Sequence, residues 1–232
     1  MKCIAVIPAR GGSKRIKDKN IYQIHGKPAI SYAISVAFES GLFSEVFVST
    51  DSTEIARIAE FYGATVGELR DATLSDDYST TIQVISGFIH SELKSESYPE
   101  FICCIYPVTP LLTPNRLQEG YRLVTQNPSN FIFAALPAIS SPERVFRISD
   151  DLKPIFGATN QIQTRTQDFA QQFHDAGQFY WGATNLWLNQ DSIIGENCKV
   201  VKLGRHEVID VDEIEDMRLV ETLLQAKNTT NS

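Results

Sequence analysis

The chain has 232 residues, which points to one domain or one domain with an appendage and is long enough for a sizeable core. At 43% hydrophobic and 21% charged, with 13 Gly and 10 Pro, it cannot be collagen-like, low-complexity or wholly disordered. A formal charge of −7 argues against general attraction to nucleic acid or an anionic membrane, so any anion site must be a local basic island.

Strand-type segments alternate with helix-type segments, the pattern of parallel strands joined by crossover helices, and the fold class is α/β. Cys3 to Ile7 reads as a buried strand followed by a polar glycine loop. Pro28 to Ser40 then reads as a helix, with Ala29, Ile30, Ala33, Ile34, Ala37 and Phe38 at helical spacing and Gly41 at its stop. Val46 to Ser49 is a second strand, and Asp51 or Ser52 caps a helix that carries Ile55, Ile58, Ala59 and Tyr62 and halts at Gly63. Ile82, Ile85, Phe88, Ile89 and Leu93 mark a further helix. Phe101 to Tyr106 is a buried strand, Thr113 and Pro114 open a helix to Gln126, and Phe131 to Leu136 continues the sheet.

From Ser140 to about His174 the pattern breaks down into prolines, scattered charge and a polar run. This stretch is too long for an ordinary connection, so a lid or a partner-docking arm within a single 1–232 domain is expected. Phe179 to Leu188 and Cys198 to Leu203 read as strands, and Ile214, Met217, Val220, Leu223 and Leu224 as the stripe of a C-terminal helix that frays from Thr229. No window approaches the ~20 apolar residues of a membrane helix, and the first strand is too short for a signal-peptide core, so a cytoplasmic protein is expected. Cys3, Cys103, Cys104 and Cys198 form no CxxC pair and read as buried thiols.

Two features carry chemistry. The first is the loop after the first strand, IPARGGSKRIKDKN, where Arg10, Lys14, Arg15, Lys17 and Lys19 place five of the chain's 21 cations within ten positions. Gly11 and Gly12 let backbone N–H groups approach a ligand without side-chain obstruction, at the sheet edge where such folds bind ligands. The loop matches neither the Walker spacing nor GxGxxG. It suits a polyphosphate, the alternative being a solvated basic turn. The second is Ile209-Asp210-Val211-Asp212, read as a short extended segment that turns both carboxylates to one side. Together they could hold one Mg²⁺, with water and phosphate oxygens completing the shell. Alternatively, Asp212 with Glu215 forms a capping box for the last helix.

Ile7 to Lys14, Lys19-Asn20, Val48 to Ser52, Leu74 to Asp77 and Ile209 to Asp212 resemble the CMP-sugar synthetases that act on nine-carbon acidic sugars, and the resemblance runs from residue 3 to about 224. Phe173 to Trp181 and Tyr106 to Pro110 resemble most the members that use pseudaminic acid. Tyr106, Leu112 and Ala176 stand where the sialic acid synthetases show Gln, Arg and Asn.

The resemblance implies a three-layer, mostly parallel Rossmann-like sheet of the nucleotide-diphospho-sugar transferase type, with a protruding dimerisation arm. It implies transfer of CMP from CTP to an acidic sugar with release of pyrophosphate, in a homodimer. By the same match Arg10, Ser13, Lys19 and Asn20 hold the triphosphate, with Gly11 and Gly12 admitting it and Arg70 and Ser79 near the nucleotide. Asp210 and Asp212 take Mg²⁺, while Gln178, Phe179 and Tyr180 face the sugar. Strand alternation narrows that set to Gln178 and Tyr180, since Phe179 and Trp181 share the opposite face. Arg165 and Gln167 match an Arg-x-Gln in the arm and are expected to reach the partner's site. His174 is a general-base candidate by position only. The alternatives are a sialic or legionaminic acid synthetase, a metal-dependent glycosyltransferase using the same Asp-x-Asp, and a silent nucleotide-binding module.

Overall fold

The computed structural model describes residues 2–138, 140, 145–156 and 170–230. Strand β1 (Cys3–Pro8) is buried from Cys3 to Ile7 because it lies inside a sheet covered on both faces. The polar loop ends in a one-turn 3₁₀ helix, Lys19–Ile21, and a two-residue hairpin follows, β2 (Gln23–Ile24) with β3 (Lys27–Pro28). His25 at φ 47° and Gly26 at φ 75° turn this hairpin, the backbone that right-twisted strands require between them. Pro28 caps α1 (Ala29–Glu39), and Gly41 at φ 67° ends it.

β4 (Glu45–Ser49) leads into α2 (Thr53–Phe61), capped by Ser52, whose side chain accepts from Ile55 N. Then come α3 (Thr81–Glu92), with a complete capping box from Thr80 and Gln83, β5 (Phe101–Ile105), α4 (Pro114–Gln126) and β6 (Phe131–Pro137). β7 (Phe146–Ile148) and β8 (Pro154–Phe156) pair as a hairpin lying within the expected excursion. β9 (Phe173–Ala183), α5 (Thr184–Asn189), β10 (Cys198–Lys202) and α6 (Ile214–Thr230) complete the order.

The central sheet has the order β10-β6-β9-β5-β1-β4. β1 runs parallel to β4 and β5, and β10 parallel to β6, while β9 is antiparallel to both β5 and β6. Alternation divides β1 between two cores. Cys3, Ala5 and Ile7 pack with α1, α2 and α4, whereas Ile4 and Val6 pack with α3 and Trp187 of α5. This gives the expected three layers. Gly120 on α4 is required by the fit, because a Cβ there would stand 2.7 Å from Cδ1 of Trp181.

Two boundaries differ from the sequence reading. β9 begins at Phe173, inside the expected excursion, and the expected strand to Leu188 ends at Ala183. Thr184 and Trp187 are the buried residues of a short helix that follows, one turn apart, and Trp187 Nε1 donates to Ile102 O at 3.2 Å. Packing the indole onto the sheet's second face outweighs the extended reading of that apolar run. All four cysteines are free, three of them buried, and burial raises the thiol pKa of Cys3, Cys103 and Cys104. Among the described residues no helix is long and apolar enough to cross a membrane.

A third, smaller core decides where the C-terminal helix lies. Met217 and Val220 of α6 and Val211 before it pack against Ile16 of the basic loop, Ile24 of β2 and Ala29 of α1. Met217→Ala is expected to cost about 2–5 kcal/mol, as other buried Met→Ala changes do. A urea titration followed by far-UV circular dichroism would read this as a lower midpoint at unchanged slope.

Candidate active site

β1, β4 and β5 run parallel, so the segments leaving them meet at one edge of the sheet. There the basic loop is tied down by its backbone. Ala9 N donates to Ser49 O at 2.9 Å, Gly11 N to Asp51 Oδ1 at 2.8 Å, and the buried Asn20 donates from Nδ2 to Arg10 O at 2.8 Å. A Cβ at Gly11 would press within 3.1 Å of Ser52 Cβ, whereas one at Gly12 would meet nothing within 4 Å. Gly11 therefore permits the close approach of the loop to the α2 cap, and Gly12 faces open space.

The acidic couplet reaches this loop from the far end of the chain. Val211 is buried in the third core, and the aspartates flanking it stand in the cation-rich surroundings of the loop. Arg15 Nη1 pairs with Asp212 Oδ2 at 2.6 Å, and Lys19 Nζ donates to Val211 O. Asp212 does not form the expected capping box. The carboxylate that reaches back is that of Asp216, which accepts from the N–H groups of Asp212 and Glu213 at 2.9 and 2.8 Å.

The electrostatics of the two walls are coupled. Partial burial, then the charge of Asp212, raises the Asp210 carboxyl above the ordinary carboxylate range, although Lys19 and Arg15 oppose the shift. Burial lowers the ammonium of Lys19, with Asp212 and Asp210 acting in the other direction. Burial likewise lowers Arg70, which donates from Nε to Ser75 Oγ at 3.1 Å and from Nη1 to Ser49 O at 3.4 Å.

A cleft of ≈ 380 Å³ lies between the walls. Arg10, Ser13, Lys19, Asn20, Arg70, Ser79 and Asp210 line it, together with Gly177 of β9. Gly11, Gly12 and Asp212 are not part of that lining, although Arg15, which pairs with Asp212, is. Tyr180 instead lines an adjoining cavity of ≈ 240 Å³ that shares Thr81 and Tyr106 with the first. Its hydroxyl donates to Asp175 Oδ2 at 2.6 Å, and burial holds the phenol protonated above its ordinary range. Gln178 is fully buried and donates from Nε2 to Glu207 O at 3.1 Å, while its Oε1 has no partner among the described residues. Phe179 and Trp181 do share the opposite face and belong to the main core. His174 is exposed, with Nδ1 2.9 Å from Asp175 O, and lies outside the cleft. Arg165 and Gln167 fall outside the described residues.

Sequence reasoning quoted Asp77 within a family block but gave it no role, and it pairs with Arg10 and Lys14. The adjacent acidic pair Asp76-Asp77 was the available signal. Tyr106, singled out as the counterpart of a Gln, has its hydroxyl 2.8 Å from Thr81 Oγ1, and both residues line the two cavities.

A cationic wall for phosphates facing carboxylates for a divalent ion, at the C-terminal edge of a mostly parallel sheet, is the arrangement a nucleotidyltransferase needs. The match to the family described as Cytidylyltransferase spans residues 4–227, and the chain belongs to that family. It is 37% identical over 228 residues to the pseudaminic acid cytidylyltransferase of Campylobacter jejuni subsp. jejuni serotype O:2, covering 98% of each chain. To the CMP-N,N'-diacetyllegionaminic acid synthase of Legionella pneumophila subsp. pneumophila it is 29% identical over 242 residues, covering 97% of each. Among solved structures, CMP:2-keto-3-deoxy-manno-octonic acid synthetase complexed with CTP has a TM-score of 0.74 at 15% identity, over 98% of this chain and 100% of that one. That likeness shows the fold.

The raised Asp210 carboxyl fixes the sign of a pH effect. The folded chain holds this proton to higher pH than the unfolded chain, so stability contributed at low pH is lost as pH rises through the folded pKa. Asp210→Asn removes that loss. Scanning calorimetry at neutral pH without divalent metal should show a higher Tm for Asp210→Asn than for wild type, and the gap should close below about pH 4, where the unfolded carboxyl also protonates.

Proposed function

We propose that this cytidylyltransferase transfers CMP from CTP to the anomeric hydroxyl of pseudaminic acid, giving the CMP-sugar and pyrophosphate, as a cytoplasmic, Mg²⁺-dependent homodimer. The observation that carries the reading is the convergence of Lys19 with Asp210 at one cleft, with Asp212 beside them on Arg15, which brings together segments almost 200 positions apart. The higher identity to a pseudaminic acid enzyme than to a legionaminic acid one supports the choice of sugar. So does Leu112, which is packed in the main core where a guanidinium would have to be buried.

In the reaction the anomeric oxygen bonds to the α-phosphorus, the bond from that phosphorus to the bridging oxygen breaks so that pyrophosphate leaves with the electron pair, and the hydroxyl proton passes to solvent. No protein nucleophile is needed, so alignment and charge neutralisation carry catalysis. Arg10 and Lys19 hold the triphosphate and offset charge growing on the departing pyrophosphate. Asn20 fixes the loop through Arg10 O, and Gly12 leaves the space beside the loop open to a phosphate. Asp210 and Asp212 fit a hard divalent cation. They supply two carboxylates, one of them with proton affinity raised by partial burial and then by the other's charge, and water and phosphate oxygens would fill the rest of the shell. When bound there, Mg²⁺ would polarise the α-phosphoryl oxygen. The hairpin of β7 and β8 supports the dimer, because it presents Phe146, Ile148 and Phe156 to solvent and a two-stranded ribbon is marginal alone.

Pyrophosphate release from CTP and Mg²⁺, measured in parallel with pseudaminic, legionaminic and sialic acids, should be fastest with pseudaminic acid. No release with any of the three would overturn the reading. Asp210→Ala and Asp212→Ala should each lower turnover by ~10² or more, and normal turnover by either would remove that residue from the metal site. Arg10→Ala should lower kcat as well as raise the KM for CTP, since a group that neutralises developing charge acts on the transition state.

A further inference from the structure

The segment 71–80 lies along the cleft, and the reaction as derived gives it no role. It is a structured strap. Asp71 accepts from Thr73 N at 2.7 Å, and Asp76 Oδ1 accepts from Tyr78 N at 3.0 Å and from Ser79 N and Ser79 Oγ at 2.7 Å. Leu74 fills the notch beside Gly87 on α3, where a Cβ would lie 2.5 Å from its Cδ1. These contacts turn the remaining carboxylate, Asp77, toward the basic loop. Arg10 Nη1 pairs with Asp77 Oδ1 at 2.7 Å and also donates to Asp76 O at 2.8 Å, while Lys14 Nζ pairs with Asp77 Oδ2.

Asp77 therefore holds two cations that a triphosphate in this cleft would need. A carboxylate and a phosphate can share them only with like charges in contact. Both pairs are substantially exposed, the Lys14 side chain at 78%, and ion pairs of that kind are weak enough for a multiply charged anion to break. Hydrogen bonds from Lys14 and then Arg10 hold the Asp77 carboxyl below the usual range, so it stays charged at any working pH.

We propose that Asp77 is a built-in counter-anion that occupies Arg10 and Lys14 until a polyphosphate displaces it. The strap would thus compete with the nucleotide on entry and with pyrophosphate on exit. This rests on reading the cleft as a nucleoside triphosphate site, and it adds a device that sets affinity there. Asp77 caps no element and belongs to no core, so its replacement should leave the fold intact.

The test is calorimetric titration without divalent metal, using CTP and inorganic tripolyphosphate, on wild type, Asp77→Asn and Asp76→Asn. Asp76→Asn removes an equal charge from the adjacent position but keeps an oxygen for the turn and frees no cation. Asp77→Asn should bind both anions roughly three- to tenfold more tightly than wild type, and Asp76→Asn less than twofold. Unchanged or weaker binding by Asp77→Asn would make the contact a support for Arg10 and overturn the exchange. Equal tightening by the two variants would overturn it as well, since the cause would then be the general field. Wild type that binds tripolyphosphate but not CTP would refute the nucleotide reading alone, because the ratio of Asp77→Asn to wild type on tripolyphosphate still decides the exchange.

Discussion

The site exists because one small apolar cluster fastens the two ends of the chain together. Ile16 sits within the cationic loop and Val211 within the acidic couplet, and both are buried against Met217 and Val220 of α6. Burying each such side chain contributes about 1.5–3 kcal/mol, far more than the exposed pairs that decorate the contact. Alternation does the rest. With Val211 turned into the cluster, Asp210 and Asp212 are turned the other way, toward Lys19 and Arg15. The chemistry is charged, but apolar packing puts it in place.

That placement has an electrostatic cost, visible in opposite directions on the two walls. Lys19 would hold its proton more firmly in water, and Asp210 would give its proton up more readily. Each is partly desolvated and incompletely neutralised by the other wall. A ligand carrying both signs, a polyphosphate with a divalent cation, offsets both deficits at once. Stability forgone in the free chain in this way is the usual signature of a binding site and runs against the trend of the surrounding core.

What the sequence disclosed follows from which interactions are local. The β1 strand, its loop and α1 were legible because burial, glycines and helical spacing all lie within forty residues. Both walls of the site were legible as residue types, Arg10 and Lys19 on one and Asp210 and Asp212 on the other. The alternation of Phe179, Tyr180 and Trp181 was legible too, but the irregularity ahead of it was not: the register shifts between Phe133 and Ala135, and Gly177 takes φ 58°. The Gln178 amide is buried against Glu207 O, and Gly177 lines the cleft. The role of Asp77 was hidden for another reason, since its partners lie more than sixty positions away and only the folded strap presents it to them.

The two walls also differ in how firmly they are held. Ahead of the couplet, Arg116 of α4 grips Glu207 with two parallel bonds of 2.8 and 2.9 Å, and Glu207 Oε2 accepts from Gly204 N at 2.6 Å. Behind it, Asp216 caps the turn into α6, and the third core anchors the helix. The couplet is thus a short span fixed at both ends. On the opposite wall the backbone is fixed, but Lys14 and Arg15 are long, exposed side chains whose partners can be exchanged. A rigid acidic wall suits the reacting α-phosphate, where a displacement of a fraction of an ångström matters. An adaptable basic wall suits the β- and γ-phosphates, which must be gripped while they accumulate charge and then let go. In this fold the rigid wall is built from packing and bidentate bonds, and the adaptable one from exposed pairs that a stronger anion can break.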